Sequence, residues 1–233
     1  MDRIKYFLKA ELKITYVIIF INIILWLVTE LAGGSASQAV LVKFGALYEP
    51  AVLDGEIWRM VSAAFLHIGI IHLAINMYTL YQLGNFVESF FGRGKFIATY
   101  VLTAIVASTV SLIFSGGISA GASGALFGLT GLLLGNAWAK KTYSFDLPID
   151  EKQLIPFVAY NLIYGFIIPG IDNFAHIGGL LGGLALGFVF DPKNSFDPSR
   201  WKQIVPKVLA WISVIILAVS AVFWSLSILN ITD

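Results

Sequence analysis

Residues 121–128 read Gly121-Ala122-Ser123-Gly124-Ala125-Leu126-Phe127-Gly128, and the chain then runs without a charged side chain to Trp138, stopping at Lys140-Lys141. A run this apolar, opened by small residues and closed by two lysines, is the pattern of a helix inside a membrane. It places one hydroxyl, Ser123, where hydrocarbon is expected. Gly121, Gly124, Ala125 and Gly128 stand at small-xxx-small spacings that let membrane helices approach closely, so on this stretch alone Ser123 reads first as an inert packing residue.

The rest of the 233 residues is of the same kind, 58% hydrophobic and only 12% charged, with a mean hydropathy of +0.84. Such a chain is too apolar for a soluble domain and reads as an all-α integral membrane protein of one domain. The absence of cysteine excludes disulfides, thiolate metal sites and a cysteine nucleophile. No glycine-rich nucleotide loop and no nucleic-acid motif is present, so no nucleotide, nucleic acid, cofactor or metal is expected. Serine and histidine remain as candidates for covalent chemistry.

Seven apolar spans are expected: 14–31, 59–84, 96–114, 123–138, 154–168, 173–190 and 208–229, each of a length a bilayer demands. In residues 1–13, Arg3, Lys5, Lys9 and Lys13 alternate with Ile4, Phe7, Leu8 and Leu12, as in a basic helix lying on the cytoplasmic surface. Residues 14–190 then form a six-helix core, 191–207 a cytoplasmic loop, and 208–233 carry an additional C-terminal helix. Residues 32–57 make a long connection, and loops of that length usually have a function. A turn holding Glu88, Gly92, Arg93, Gly94 and Lys95 is expected between the second and third spans. Ser35-Ala36-Ser37 imitates a signal-peptidase site, but the preceding span is longer than a usual signal h-region and its loss would remove a bundle helix, so it is expected to stay. Of the 15 lysines and arginines, all but Lys43 and Arg59 fall on one side of the bundle. That asymmetry puts the N-terminus in the cytoplasm and the C-terminus outside.

All three histidines lie in two further segments, one with Trp58-Arg59 followed by His67, His72 and Asn76, the other Ala175-His176-Ile177-Gly178-Gly179. At roughly 1.5 Å per residue, Ser123, His176 and His72 stand roughly 26, 22 and 24 Å from the inner ends of their spans. The three side chains therefore share one depth, a few Å below the outer edge of the hydrocarbon. A lone intramembrane histidine is usually a satisfied packing residue, and polar groups at that depth are costly unless they face one another or a wet cavity. A serine, two histidines and an asparagine at one depth supply a nucleophile, a base and hydrogen-bond donors.

With these residues in this order, the chain resembles a rhomboid-family intramembrane serine protease over nearly its whole length. The resemblance rests on Trp58-Arg59, His67-x4-His72-x3-Asn76, Gly121-Ala122-Ser123-Gly124 and Ala175-His176-Ile177-Gly178-Gly179. It implies that Ser123 is the nucleophile and His176 the general base, and that His72 and Asn76, with the Gly121 turn and the Ser123 N–H, form an oxyanion hole. It makes Trp58 and Arg59 structural parts of a membrane-dipping first loop, and gives His67, Phe127 and Gly179 supporting places. Gly178, Gly179, Gly182 and Gly183 are expected to let the sixth helix press on the fourth. Phe127 departs from the family, which often has Tyr packed on the catalytic histidine. No Asp orients the base in the family; Asp172 is placed to do so only if the sixth helix extends back past Asn173, against which Pro169-Gly170 argues.

The implied substrates are membrane proteins within the lipid bilayer, cut near the outer end of a transmembrane helix by an enzyme in a bacterial plasma membrane. One alternative is a catalytically inactive rhomboid-like protein that binds membrane clients, although such relatives typically lack the Ser or the His. Another is a small transporter, which would show helices broken near the midplane, and no span here is expected to be broken by an internal proline.

Overall fold

The computed structural model describes residues 13–139, 151–193 and 200–230. The expected segment 1–13 and the inner boundary at Lys140-Lys141 fall almost entirely outside them. Among the described residues there are helices and no strands, the nearest to sheet being a single antiparallel bridge between Leu47 and Ser119.

Among the described residues three helices are long and apolar enough to cross a membrane: α1 (Ile14–Leu31), α7 (Arg93–Phe114) and α11, which begins at Arg200 and runs to Asn230. Between α1 and α7 lie four shorter pieces, α2 (Gln38–Lys43), α3 (Glu49–Leu53), α4 (Arg59–Ser62) and α5 (Gly69–Thr79), the last continuing through a wider π turn into α6 (Asn85–Phe91). After α7 come α8 (Ser123–Ala139), α9 (Glu151–Ile167) and α10 (Asn173–Val189). The expected seven spans thus become three full-length helices, a fourth if a bent pair is taken as one, and three of 17 residues each. Seventeen residues climb roughly 26 Å; of the three, only α8 is buried along its length, while α9 leaves Tyr160, Ile163, Phe166 and Ile167 exposed.

The sequence placed one span over 59–84. Instead, α4 and a short 3-10 turn ending at Phe65 are set at 91° to the helix that starts at Gly69. Gly69 takes φ 74°, a conformation side chains avoid, and the chain turns there. The membrane-crossing piece is therefore Gly69–Phe91. Its end also differs from expectation: Glu88 is buried in α6, and the turn before α7 narrows to Gly92, with φ 92°. Glu88 accepts from Ile14 N and Thr15 N at 2.9 Å and from Thr15 Oγ1 at 2.7 Å, fastening the start of α1. Prolines do not break the helices: Pro156 lies inside α9 and Pro206 inside α11. Helix α11 also extends through Arg200–Lys207, where a loop was expected.

At the centre stands α8, buried from Gly124 to Ala137. Its glycines explain the position. A Cβ on Gly131 would lie 2.2 Å from Leu180 O, one on Gly135 2.3 Å from Leu184 O, and one on Gly128 2.0 Å from Thr103 Oγ1. Helices α8 and α10 approach backbone to backbone at Gly131 and Gly135, while α7 sets the Thr103 side chain against Gly128, contacts that only residues without side chains allow.

The long connection is built, not slack. Arg59, almost fully buried, donates to Val42 O at 2.6 Å and Ala46 O at 3.1 Å while pairing with Glu56 at 2.6 Å, and its guanidinium lies 4.8 Å from the Trp58 ring centre. Leu53 and Ile57 point outward, 77% and 69% exposed. Leu47 pairs through both backbone groups with Ser119, and Gly121 N donates to Ala63 O at 2.9 Å, so this loop frames the turn into α8. Helix α11 braces it from the far side, Trp224 Nε1 donating to Phe44 O at 2.8 Å.

Candidate active site

The loop into α8 ends at Gly121, whose φ of 144° favours glycine. A Cβ there would sit 2.7 Å from His72 Cε1 and 3.7 Å from Ser123 Oγ, so His72 and the serine hydroxyl flank one small gap that only glycine leaves open. Ser123 begins α8, and the first N–H groups of a helix have no intrahelical acceptor. An oxygen in that gap meets free donors and the positive end of the helix dipole.

His176 arrives from the first turn of α10. Its Nε2 is 2.9 Å from Ser123 Oγ, a normal hydrogen-bond distance. Phe127, one turn into α8, covers the imidazole in a parallel stack with ring centres 4.4 Å apart and planes 16° from parallel. Gly179, one turn beyond His176, allows the approach: a Cβ on it would fall 1.9 Å from Gly124 O, and one on Gly183 1.9 Å from Gly128 O. Gly178 meets Val110 and Val106 instead, and Gly182 has a looser 3.3 Å neighbour in Val106. Of the four glycines expected to bring α10 onto α8, Gly179 and Gly183 do so, while Gly178 and Gly182 face α7.

Asp172 makes no hydrogen bond to the His176 ring. It caps α10, its Oδ1 accepting from Ala175 N at 3.0 Å, while its Oδ2 accepts from Ser111 Oγ on α7. His176 Nδ1 is buried with no hydrogen-bond partner among the described residues. Asp172 O accepts from His176 N at 3.2 Å, but the two bonds of the carboxylate turn it to the helix end and to α7. Ser111, which no sequence motif singled out, is the residue that ties down the start of the histidine helix.

His67, in the turn just before α5, is fully buried. Its Nε2 accepts from Ala122 N at 3.4 Å and its ring stands edge-on to His72, centres 5.2 Å apart. It props His72 and the serine turn together and does not itself face the gap beside Gly121. Asn76, buried one turn after His72, donates one N–H to His72 O at 2.9 Å, which leaves its second N–H to be used. Trp58 and Arg59 stay at the start of α4, where Arg59 holds the Val42 and Ala46 carbonyls and the Trp58 ring packs against Gly45.

A profile of the Rhomboid domain matches residues 54–193. The chain is 39% identical over 177 residues to Rhomboid protease GluP of Bacillus subtilis, covering 76% of this chain and 34% of that protein. It is 42% identical over 173 residues to RHOMBOID-like protein 5 of Arabidopsis thaliana, covering 73% of this chain and 56% of the relative. To Rhomboid-like protease 3 of Toxoplasma gondii it is 31% identical over 179 residues, covering 72% and 65%. The chain thus spans about a third to just under two thirds of the length of these relatives. With the profile covering more than half of its length and the apolar helices around it, this integral, multi-pass membrane protein belongs to the rhomboid family.

Proposed function

We infer that the protein is an intramembrane serine endopeptidase that cuts membrane-protein substrates near the outer end of a transmembrane helix. The observation that carries this reading is the 2.9 Å contact between Ser123 Oγ and His176 Nε2 at the start of two helices locked by glycine. With the imidazole proton on Nδ1, the hydroxyl donates to Nε2, and His176 takes that proton as Oγ attacks the substrate carbonyl. The oxyanion forms beside Gly121, against the Ser123 N–H, the His72 ring and the second N–H of Asn76. His176 then gives the proton to the leaving amine, leaving a Ser123 ester that a water activated by His176 hydrolyses.

No carboxylate is needed to orient the base in this scheme. Phe127 and the α8–α10 contact hold the ring by packing, and the buried, unpartnered Nδ1 fits a base whose position comes from its neighbours. Residues 14–190 are the catalytic core in this reading and α11 an added brace, with the lysine-rich end of the bundle in the cytoplasm of a bacterial plasma membrane.

The test is cleavage of a transmembrane substrate in proteoliposomes. The wild type should cut it and Ser123→Ala should not, while staying folded in the membrane. A protein that binds such substrates without cutting them in either form would be an inactive client-binding relative instead.

A further inference from the structure

Ser111 near the end of α7 reaches Asp172 beside the histidine helix, and Arg93 starts α7 eighteen residues earlier, roughly 27 Å away. At that far end a cavity of about 690 Å³ opens between the start of α7, the start of α1, the segment after α10 and the first turns of α11. Its lining brings together Arg93, Lys95, Lys193, Lys202 and Lys207, with Asp191 the one acidic group among the described residues. Asp191 is already engaged, its carbonyl accepting from Lys95 Nζ and its carboxylate lying 3.4 Å from Lys202 Nζ. Glu88 faces Arg93 at 3.7 Å. Lys193 and Lys207 are exposed and have no acidic partner among the described residues, whose part of the lining carries more cations than anions.

The other wall is apolar and belongs to helices that cross the membrane: Ile14 on α1, Ile97 on α7, and Ala210, Trp211 and Val214 on α11. Trp211 is 70% exposed. A cationic mouth continuous with an apolar wall on lipid-facing helices suits an amphiphile with an anionic head. Free phosphate would satisfy the lysines and leave the wall bare, and a zwitterionic head would bring its own cation against theirs. The volume lies within the range of small-ligand sites.

We propose that this cavity binds one anionic phospholipid, its phosphate held by the basic residues around Lys193 and Lys207 and an acyl chain lying along α11 against Trp211 and Val214. Such a lipid bridges α1, α7 and α11, and so fixes the helix whose Trp224 holds the loop around the serine turn.

The full chain, purified in a mild detergent, is titrated with phosphatidylglycerol and separately with phosphatidylcholine, and bound lipid is counted by native mass spectrometry. One phosphatidylglycerol should be retained per chain, at least tenfold more tightly than phosphatidylcholine. The double variant Lys193→Gln, Lys207→Gln, which changes two exposed side chains and spares the helix contacts, should bind it about thirtyfold more weakly, equivalent to about 2 kcal/mol at tenfold per 1.4 kcal/mol. Equal retention of the two lipids overturns the proposal. So does undiminished binding in the double variant, or displacement of phosphatidylglycerol by inorganic phosphate.

Discussion

Gly179 lies so close to Gly124 that a methyl group on it would stand 1.9 Å from the Gly124 carbonyl oxygen. One residue after Ser123 meets one residue three beyond His176, so the distance between the two helices at this point sets the distance between hydroxyl and imidazole. Backbone cannot move aside as a flexible side chain does. Any side chain at Gly179 must push α10 off α8.

Gly179→Ala should therefore cost about 1–3 kcal/mol of stability through overpacking and about 10²-fold or more in turnover through misplacement of the base. Gly182→Ala, whose Cβ has a nearest neighbour at 3.3 Å in Val106, should cost much less. Thermal unfolding in detergent and cleavage rates in liposomes check both. Equal activity in the two variants would break the link between helix spacing and catalysis.

Asn76→Ala should lower kcat about tenfold to a hundredfold, somewhat less than the loss of a sole oxyanion donor, because the His72 ring and the Ser123 N–H remain. KM should barely change, since the bond strengthens only as charge develops on the oxygen. Steady-state kinetics on one transmembrane substrate give the answer. An unchanged kcat with a raised KM would make Asn76 a substrate contact.

Phe127→Tyr should keep activity within a few-fold, because the ring that stacks on His176 is retained. Phe127→Ala should do far worse, losing a buried ring worth about 3–5 kcal/mol as well as the surface on which the imidazole rests. Comparing cleavage rates with unfolding temperatures for the pair shows whether the stack positions the base. Full activity in Phe127→Ala would show that it does not.

Asp172→Asn should be nearly silent, because asparagine also caps helices, whereas Asp172→Ala should lower stability by about 0.5–2 kcal/mol. Ser111→Ala removes the other half of the anchor and should lie between them. If Asp172→Asn were as inactive as His176→Ala, the carboxylate would be acting on the base and not on the helix end.

Much of this site was legible in the sequence because its parts are local. Ser123 and Gly121 share one turn, His72 and Asn76 stand one helical turn apart, and the glycines that follow His176 announce close packing. Equal depth of Ser123 and His176 followed from helix rise alone. What could not be read was the effect of contacts distant in sequence. The break comes at Gly69, with its φ of 74°, where hydropathy sees mostly apolar residues on both sides, and the piece before it is held by Arg59 on Val42 and Ala46. Glu88 reads as a turn residue until Thr15 and the start of α1 are placed against it. Ser111 has no signature as an anchor, since its partner is 61 residues away. Arg200–Lys207 looks like a polar loop by composition, yet its residues continue α11 and line the basic cavity.

The central claim is that Ser123 is a nucleophile because His176 takes its proton. It is tested most directly by treating the protein in liposomes with a serine-reactive fluorophosphonate and mapping the adduct by mass spectrometry. A single phosphonyl group on Ser123, absent from Ser123→Ala and reduced to background in a folded His176→Ala, is the predicted result. Labelling of Ser123 that persists undiminished in His176→Ala, or an adduct on another serine with Ser123 unmodified, would contradict it.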